Sequence, residues 1–224
     1  MKFRAIIFDM DGTIVDSNHI WQRVTKELIL DKMQDVSPEI IQEIEHKIKG
    51  LALHASCNII KEVMGLEHNL EDLIKEKKQR ALDLYKGELT FIDGFKNFHE
   101  RVKNENLQVS IATNADDHTL AASVEKLKLK ELFGMHIYNI THVNNKHKPA
   151  PDLYLHAAKQ LKIDPKDCVA IEDSHHGVKA ALDAGMFCIG INTGKNRDKL
   201  KGSHFIIDHY DEINLKRLLK KQEE

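Results

Sequence analysis

The sequence predicts an α/β protein: a doubly wound parallel sheet as the core, with a four-helix domain inserted near the start of the chain. Three observations carry that expectation. Apolar runs of strand length alternate with amphipathic segments of helix length through the later part of the chain, the pattern of a parallel sheet covered on both faces. The stretch from about Asp16 to Gly87 interrupts this rhythm with helix patterns and no convincing strand. The first apolar run, Ala5-Ile6-Ile7-Phe8, ends abruptly on two carboxylates, Asp9 and Asp11.

Taken in order, Phe3 to Phe8 reads as the first strand. In the insertion, Trp21, Val24 and Leu28 share one helix face, and Ser37-Pro38 is an N-cap followed by proline in the favoured first turn, leading into Ile40, Ile44 and Ile48. Gly50, Gly65 and Gly87 are the expected stops, so that four helices with short joins close a small bundle. Asp93-Gly94 marks the return to the core. Strands are then expected at Val109 to Ala112, His136 to Ile140, Cys168 to Ile171 and Met186 to Ile191, with a weaker one at Phe205 to Ile207. Between them, Leu153, Tyr154, Ala157, Ala158 and Leu161 form one helix stripe, and Val178, Ala181 and Leu182 form another that stops at Gly185. The predicted domains are residues 1–15 with 88–224 for the core and 16–87 for the helical insertion, and the charged tail Lys220 to Glu224 is expected to fray.

Composition narrows the function. With 33 basic and 35 acidic side chains among 224 residues, the formal charge of -2 supplies no field to gather nucleic acid or coat a membrane. A small dissolved substrate is the better partner. The three cysteines, Cys57, Cys168 and Cys188, lack metal-ligand spacing, and two of them sit in buried-looking strands, as reduced thiols of a cytosolic protein do. No stretch of about 20 apolar residues is present, and the run after Met1 is too short for a signal peptide, so a soluble cytoplasmic protein is expected.

Residues i and i+2 share a face of a strand, so a turn beginning at Gly12 would stand Asp9 and Asp11 together at the strand's carboxyl end, where a hard divalent cation fits between them. Its glycine comes too early for an EF-hand loop, and a strand, not a helix, precedes it. Three further polar groups fall where the same sheet edge would lie. Val109 to Ala112 ends on Thr113-Asn114, Cys168 to Ile171 ends on Glu172-Asp173-Ser174, and Lys148 stands just ahead of a helix. Ligands of doubly wound sheets bind at that edge. A carboxylate nucleophile, a second carboxyl to move a proton, a fixed ammonium and a cation site together suit phosphoryl transfer from a monoester.

In order and spacing these motifs, from Asp9 to Asp173, resemble the phosphatase signature of the haloacid dehalogenase-like superfamily: Asp-x-Asp-Gly-Thr, a Ser or Thr, a Lys, then an acidic pair. The resemblance implies a Rossmann-like core, a small helical cap, an Asp9 nucleophile that also binds magnesium, and an Asp11 that acts as general acid and base while offering its backbone carbonyl to the metal. It further implies that Thr113 and Asn114 hold phosphoryl oxygens, that Lys148 bridges phosphate and nucleophile, and that Asp173 completes the magnesium shell, with Glu172 a direct ligand or a partner through water. The run Asp16-Ser17-Asn18-His19-Ile20-Trp21 is similar to the cap entry of sugar-phosphate phosphatases. Cap architectures of this kind often work as monomers.

Within that superfamily, Asp11 argues against dehalogenation, and a phosphonate hydrolase would need a cap lysine that nothing singles out among Lys47, Lys49 and Lys61. A phosphomutase of the beta-phosphoglucomutase type must grip a second phosphate with an arginine and a lysine at places where this chain has Leu53 and Asp116. The reading is therefore a magnesium-dependent phosphatase of a small sugar phosphate. The alternatives are such a mutase and a catalytically silent phosphosugar-binding module. His175-His176 reads as a polar helix start, not a metal site.

Overall fold

The computed structural model describes residues 3–33, 35–48, 51 and 53–220. Lys49, the expected stop at Gly50 and the tail past Lys220 lie outside the described residues. The chain divides into two compact units, Met1–Asp16 with Thr90–Glu224, and Ser17–Leu89.

The first unit is built on a six-stranded parallel sheet. Its strands are β1 (Ala5–Phe8), β4 (Gln108–Thr113), β5 (Ile137–Asn139), β6 (Cys168–Glu172), β7 (Phe187–Ile191) and β8 (Phe205–Ile207), in the spatial order β5-β4-β1-β6-β7-β8. All six expected strands are present. Two two-residue strands, β2 (Val15–Asp16) and β3 (Thr90–Phe91), pair antiparallel as a separate ribbon. Sequence periodicity cannot register so short a pair. The helices of this unit are α5 (Phe95–Asn104), α6 (Asp117–Leu127), α7 (Leu129–Phe133), α8 (Asp152–Leu161), α9 (His175–Asp183) and α10 (Leu215–Lys220).

β1 is buried along its whole length, and its alternation separates two cores. Phe8 meets Phe95, Phe98 and Phe133 edge-on, at ring centroid separations of 5.7, 6.2 and 5.8 Å. On the other face Ala5 and Ile7 join Ala112, Cys168 and Ala170 beneath Leu153, Tyr154, Ala157 and Ala158 of α8. The α8 stripe is the one that the sequence spacing singles out. Because Ala5 and Ile7 face α8, so does the next residue of that parity, Asp9. In β6 the same count runs from Cys168 and Ala170 to Glu172. The sheet thus aims both carboxylates at one layer of helix.

The second unit holds α1 (Asn18–Lys32), α2 (Pro38–Ile48), α3 (Leu53–Met64) and α4 (Leu70–Glu88), around a core of Leu28, Ile29, Ile41, Ile44, Cys57, Ile60, Met64 and Leu73. Ser37 accepts a hydrogen bond from the Ile40 N–H at 3.4 Å, and Pro38 opens α2 as expected. Two details differ from the sequence reading. The buried positions of α2 are Ile41 and Ile44, while Ile40 is exposed, because the stripe is displaced by one residue from the chosen phase. Gly87 does not stop α4, which runs on to Glu88; a single glycine costs a helix only about 1 kcal/mol, and the buried face Leu73, Lys77, Ala81 and Tyr85 holds it. Gly65 does follow the end of α3, in the left-handed conformation. Trp21 donates to the Tyr85 hydroxyl at 2.9 Å. Of the lysines considered, exposed Lys47 pairs with Glu43, and Lys61 donates to the His68 carbonyl. Lys77, which periodicity counts simply as helix, is buried and donates to Ser56 Oγ at 3.1 Å. No helix among the described residues is long and apolar enough to cross a membrane.

Candidate active site

Neighbouring strands β1 and β6 send their connections to opposite sides of the sheet, β1 toward β4 and β6 toward β7. Their carboxyl ends therefore flank the switch point, where such sheets open a crevice. Asp9 continues the ladder one step past β1, its N–H donating to the Ile171 carbonyl at 3.0 Å. Glu172 closes β6 and Asp173 follows it. One carboxylate oxygen from each of Asp9, Glu172 and Asp173 lies within 4.8 Å of the others.

Lys148 reaches into this group. Its ammonium donates to Asp9 Oδ1 at 2.7 Å and to Glu172 Oε1 at 2.6 Å, with the lysine side chain 3% exposed and that of Glu172 fully buried. So complete a burial leaves the pair almost unscreened. Asn114, at the end of β4, accepts the Lys148 backbone N–H on its Oδ1 at 2.9 Å. The side chain expected to touch a ligand is thus committed, through that oxygen, to the lysine loop. Thr113 is buried, and its hydroxyl oxygen accepts the Ala115 N–H at 3.1 Å, shaping the turn that follows β4. Asp116 accepts the N–H groups of His118 and Thr119 as the N-cap of α6.

The electrostatics follow from burial and crowding. Desolvation is the largest influence on Asp9; Glu172 and Asp11 add to it against the opposing pull of Lys148, and its carboxyl is pushed up to about 7. Asp173 is held well above the carboxylate range, first by burial and then by Asp9 and Glu172. Burial would lower the Lys148 ammonium, but Asp9 and Glu172 outweigh it and keep the group charged far into alkaline solution. One ammonium thus faces three acids whose oxygens converge. A hard divalent cation with a preference for oxygen, such as magnesium, fits that donor set. His175 and His176 sit exposed at the start of α9, and no histidine joins a metal-competent group among the described residues. Burial also raises all three thiols, Cys168 to about 12, so they stay protonated and inert.

Two residues of the site escaped the sequence reading. Tyr154, read there as part of an apolar stripe, donates its hydroxyl to Glu172 Oε1 at 2.7 Å, and its ring lies 4.8 Å below the Lys148 ammonium. A phenol on the buried face of a helix needs a polar partner, which was the available signal. Gly177 lies inside α9, where a Cβ would stand 1.8 Å from Glu172 Cδ. A glycine early in a helix is the usual mark of such a close approach.

Fold and site together define an α/β enzyme of the doubly wound type, with its polar centre at the switch point. The profile of the haloacid dehalogenase-like hydrolases matches residues 6–191, and the chain belongs to that family. Among its relatives, beta-phosphoglucomutase of Bacillus subtilis is 25% identical over 226 residues, covering 96% of this chain and 93% of that protein. The 6-phosphogluconate phosphatase of Escherichia coli is 26% identical over 192 residues, 83% of this chain and 80% of that one. The crystal structure of a HAD hydrolase, family IA, variant 3, from Entamoeba histolytica superposes with a TM-score of 0.83 at 26% identity, covering 99% of this chain and 100% of that one.

Proposed function

We propose that this hydrolase is a magnesium-dependent phosphatase that cleaves a small phosphate monoester, a sugar phosphate, through an aspartyl-phosphate on Asp9. The observation that carries the reading is the Lys148 ammonium, shared at 2.7 and 2.6 Å between Asp9 and Glu172. It holds one Asp9 oxygen and leaves the other to form the bond to phosphorus. That bond forms as the bond from phosphorus to the ester oxygen breaks; the departing oxygen keeps the electron pair and takes a proton from the Asp11 carboxyl. Asp11 then accepts a proton from water as its oxygen displaces Asp9 and releases inorganic phosphate. Lys148, Thr113 and main-chain N–H groups after β4 balance the phosphoryl oxygens. Magnesium, held by Asp9, Asp173, Glu172 and the Asp11 carbonyl, would supply charge neutralisation. The helical unit Ser17–Leu89 is read as the cap that selects the leaving group. A monomeric cytoplasmic protein meeting dissolved metabolites completes the proposal.

A relative named beta-phosphoglucomutase makes the mutase the second reading. Against it, the positions that would hold a second phosphate carry Leu53, packed with the helical core, and Asp116, a helix cap. Neither offers a cation. An array of sugar phosphates assayed for inorganic phosphate, with Asp9→Asn beside the wild type, tests both. Asp9→Asn should fall by on the order of 10⁴-fold or more, as nucleophile removals do. Equal turnover by the variant refutes the nucleophile, and isomer formation outrunning phosphate release establishes the mutase. Binding without magnesium-dependent turnover of any ester would point to a silent module.

A further inference from the structure

The loop that presents Asp11 uses up its own N–H groups. Thr13, Ile14 and Val15 all donate to the Met10 carbonyl at 3.3, 3.0 and 2.9 Å, and Gly12 donates to the Val15 carbonyl at 2.8 Å. Gly12, with φ at +81°, adopts the left-handed conformation. Glycine is the residue most easily released from any one backbone geometry, and it stands directly after Asp11. Two side chains from the far end of the sequence grip the carbonyls there. Thr193 Oγ1 donates to the Gly12 carbonyl at 2.6 Å, and the Tyr210 hydroxyl to the Thr13 carbonyl at 2.9 Å.

Both donors are themselves anchored. Asn192, next to Thr193, donates its N–H to the Ile207 carbonyl at 2.8 Å. Tyr210 is fully buried with its ring stacked on Phe98 at 5.0 Å, and Arg101 donates to the Tyr210 carbonyl at 3.1 Å. Both residues also lie past residue 191, where the family match ends.

We propose that Thr193 and Tyr210 are positioning residues that aim Asp11 at the departing ester oxygen, by clamping the two peptide carbonyls that follow it. The inference rests on the phosphatase reading, in which Asp11 protonates the leaving group. Such a clamp matters most for an alkyl phosphate, whose oxygen leaves as a poor anion. It matters little for the release of p-nitrophenolate from its phosphate ester, since that anion departs without a proton.

The test compares hydrolysis of glucose 6-phosphate, or the best sugar phosphate of the array, with that of p-nitrophenyl phosphate by wild type, Thr193→Val, Thr193→Ser and Tyr210→Phe, with melting curves for each. Loss of one such hydrogen bond should lower kcat on the sugar phosphate by about five- to tenfold while KM holds. The burst of p-nitrophenolate in rapid mixing, which reports formation of the aspartyl-phosphate before water and the Asp11 base are needed, should stay within about twofold of wild type, and Thr193→Ser should restore the sugar-phosphate rate. A p-nitrophenolate burst slowed as much as sugar-phosphate turnover, or no loss of sugar-phosphate turnover with Thr193→Val, overturns the proposal. A wild-type protein that releases phosphate from neither ester overturns the phosphatase reading itself.

Discussion

Gly177 and Glu172 occupy space that only a glycine leaves available: a Cβ on residue 177 would lie 1.8 Å from Glu172 Cδ and 1.9 Å from both of its carboxylate oxygens. The first turn of α9 is thereby folded directly onto an acid of the site, and Ser174 joins the two, accepting the Gly177 N–H and donating to Glu172 Oε2. Gly177→Ala must push Glu172 off Lys148. Magnesium-supported activity should fall by roughly 10- to 100-fold, and overpacking should cost about 1–3 kcal/mol of stability. Titration of activity with magnesium, beside urea unfolding, checks both.

Tyr154→Phe removes one donor from Glu172 Oε1 and leaves the ring under Lys148. The expected stability cost is about 1 kcal/mol, because the Lys148 ammonium still satisfies that oxygen at 2.6 Å. Activity should drop by up to about tenfold, with the larger part in the magnesium concentration needed. A Tyr154→Phe enzyme with wild-type magnesium dependence would show that Lys148 and Ser174 suffice to orient Glu172.

Asp9 makes stability depend on pH in an identifiable direction. Its folded carboxyl is raised to about 7 from 3.8, so between those values the folded state binds more protons than the unfolded one, and stability falls as pH rises. In chelator, wild type should lose stability between about pH 4 and pH 7, and level off above. Asp9→Asn should lose less over that window. If magnesium binds Asp9 as proposed, it displaces the proton, and added metal should restore wild type most strongly near neutral pH. Thermal melts with chelator and with magnesium, across that range, measure it.

In the helical unit, burial lowers the Lys77 ammonium to about 8 from 10.5, against a smaller opposing influence from Cys57. Between those values the unfolded chain holds the proton more tightly, so this group's contribution to stability rises from about pH 8 to pH 10.5 and is unfavourable at neutral pH by a few kcal/mol. Lys77→Met keeps the apolar stem and removes the buried charge. It should stabilise the protein by roughly 1–3 kcal/mol at pH 7, with an advantage that shrinks by pH 10. Urea unfolding at the two pH values decides it.

Strand positions were legible because a parallel sheet buried on both faces demands continuous apolar runs, and each run ended on the polar residues it delivers. The phase of α2 was not legible: Ile40, Ile41, Ile44 and Ile48 support two stripes, and only packing against Leu28 and Ile60 selects Ile41. The α4 terminus misled because tertiary burial of Tyr85 outweighs the weakness of Gly87. Lys77 and Tyr154 looked like ordinary members of helix stripes, since periodicity reports which face is buried and not what a buried polar atom touches.

Chain order and residue chemistry alone therefore determined the doubly wound core and the helical insertion, and nominated the candidate set from Asp9 to Asp173, because alternation and strand ends act over a few residues. Partnerships across the chain were decided by the fold. The shared ammonium of Lys148, the Asn114 bond that holds its loop and the grip of Thr193 and Tyr210 on residues 12 and 13 all join segments distant in sequence. Such contacts depend on how sheet and helix layers stack, and local periodicity carries no record of that.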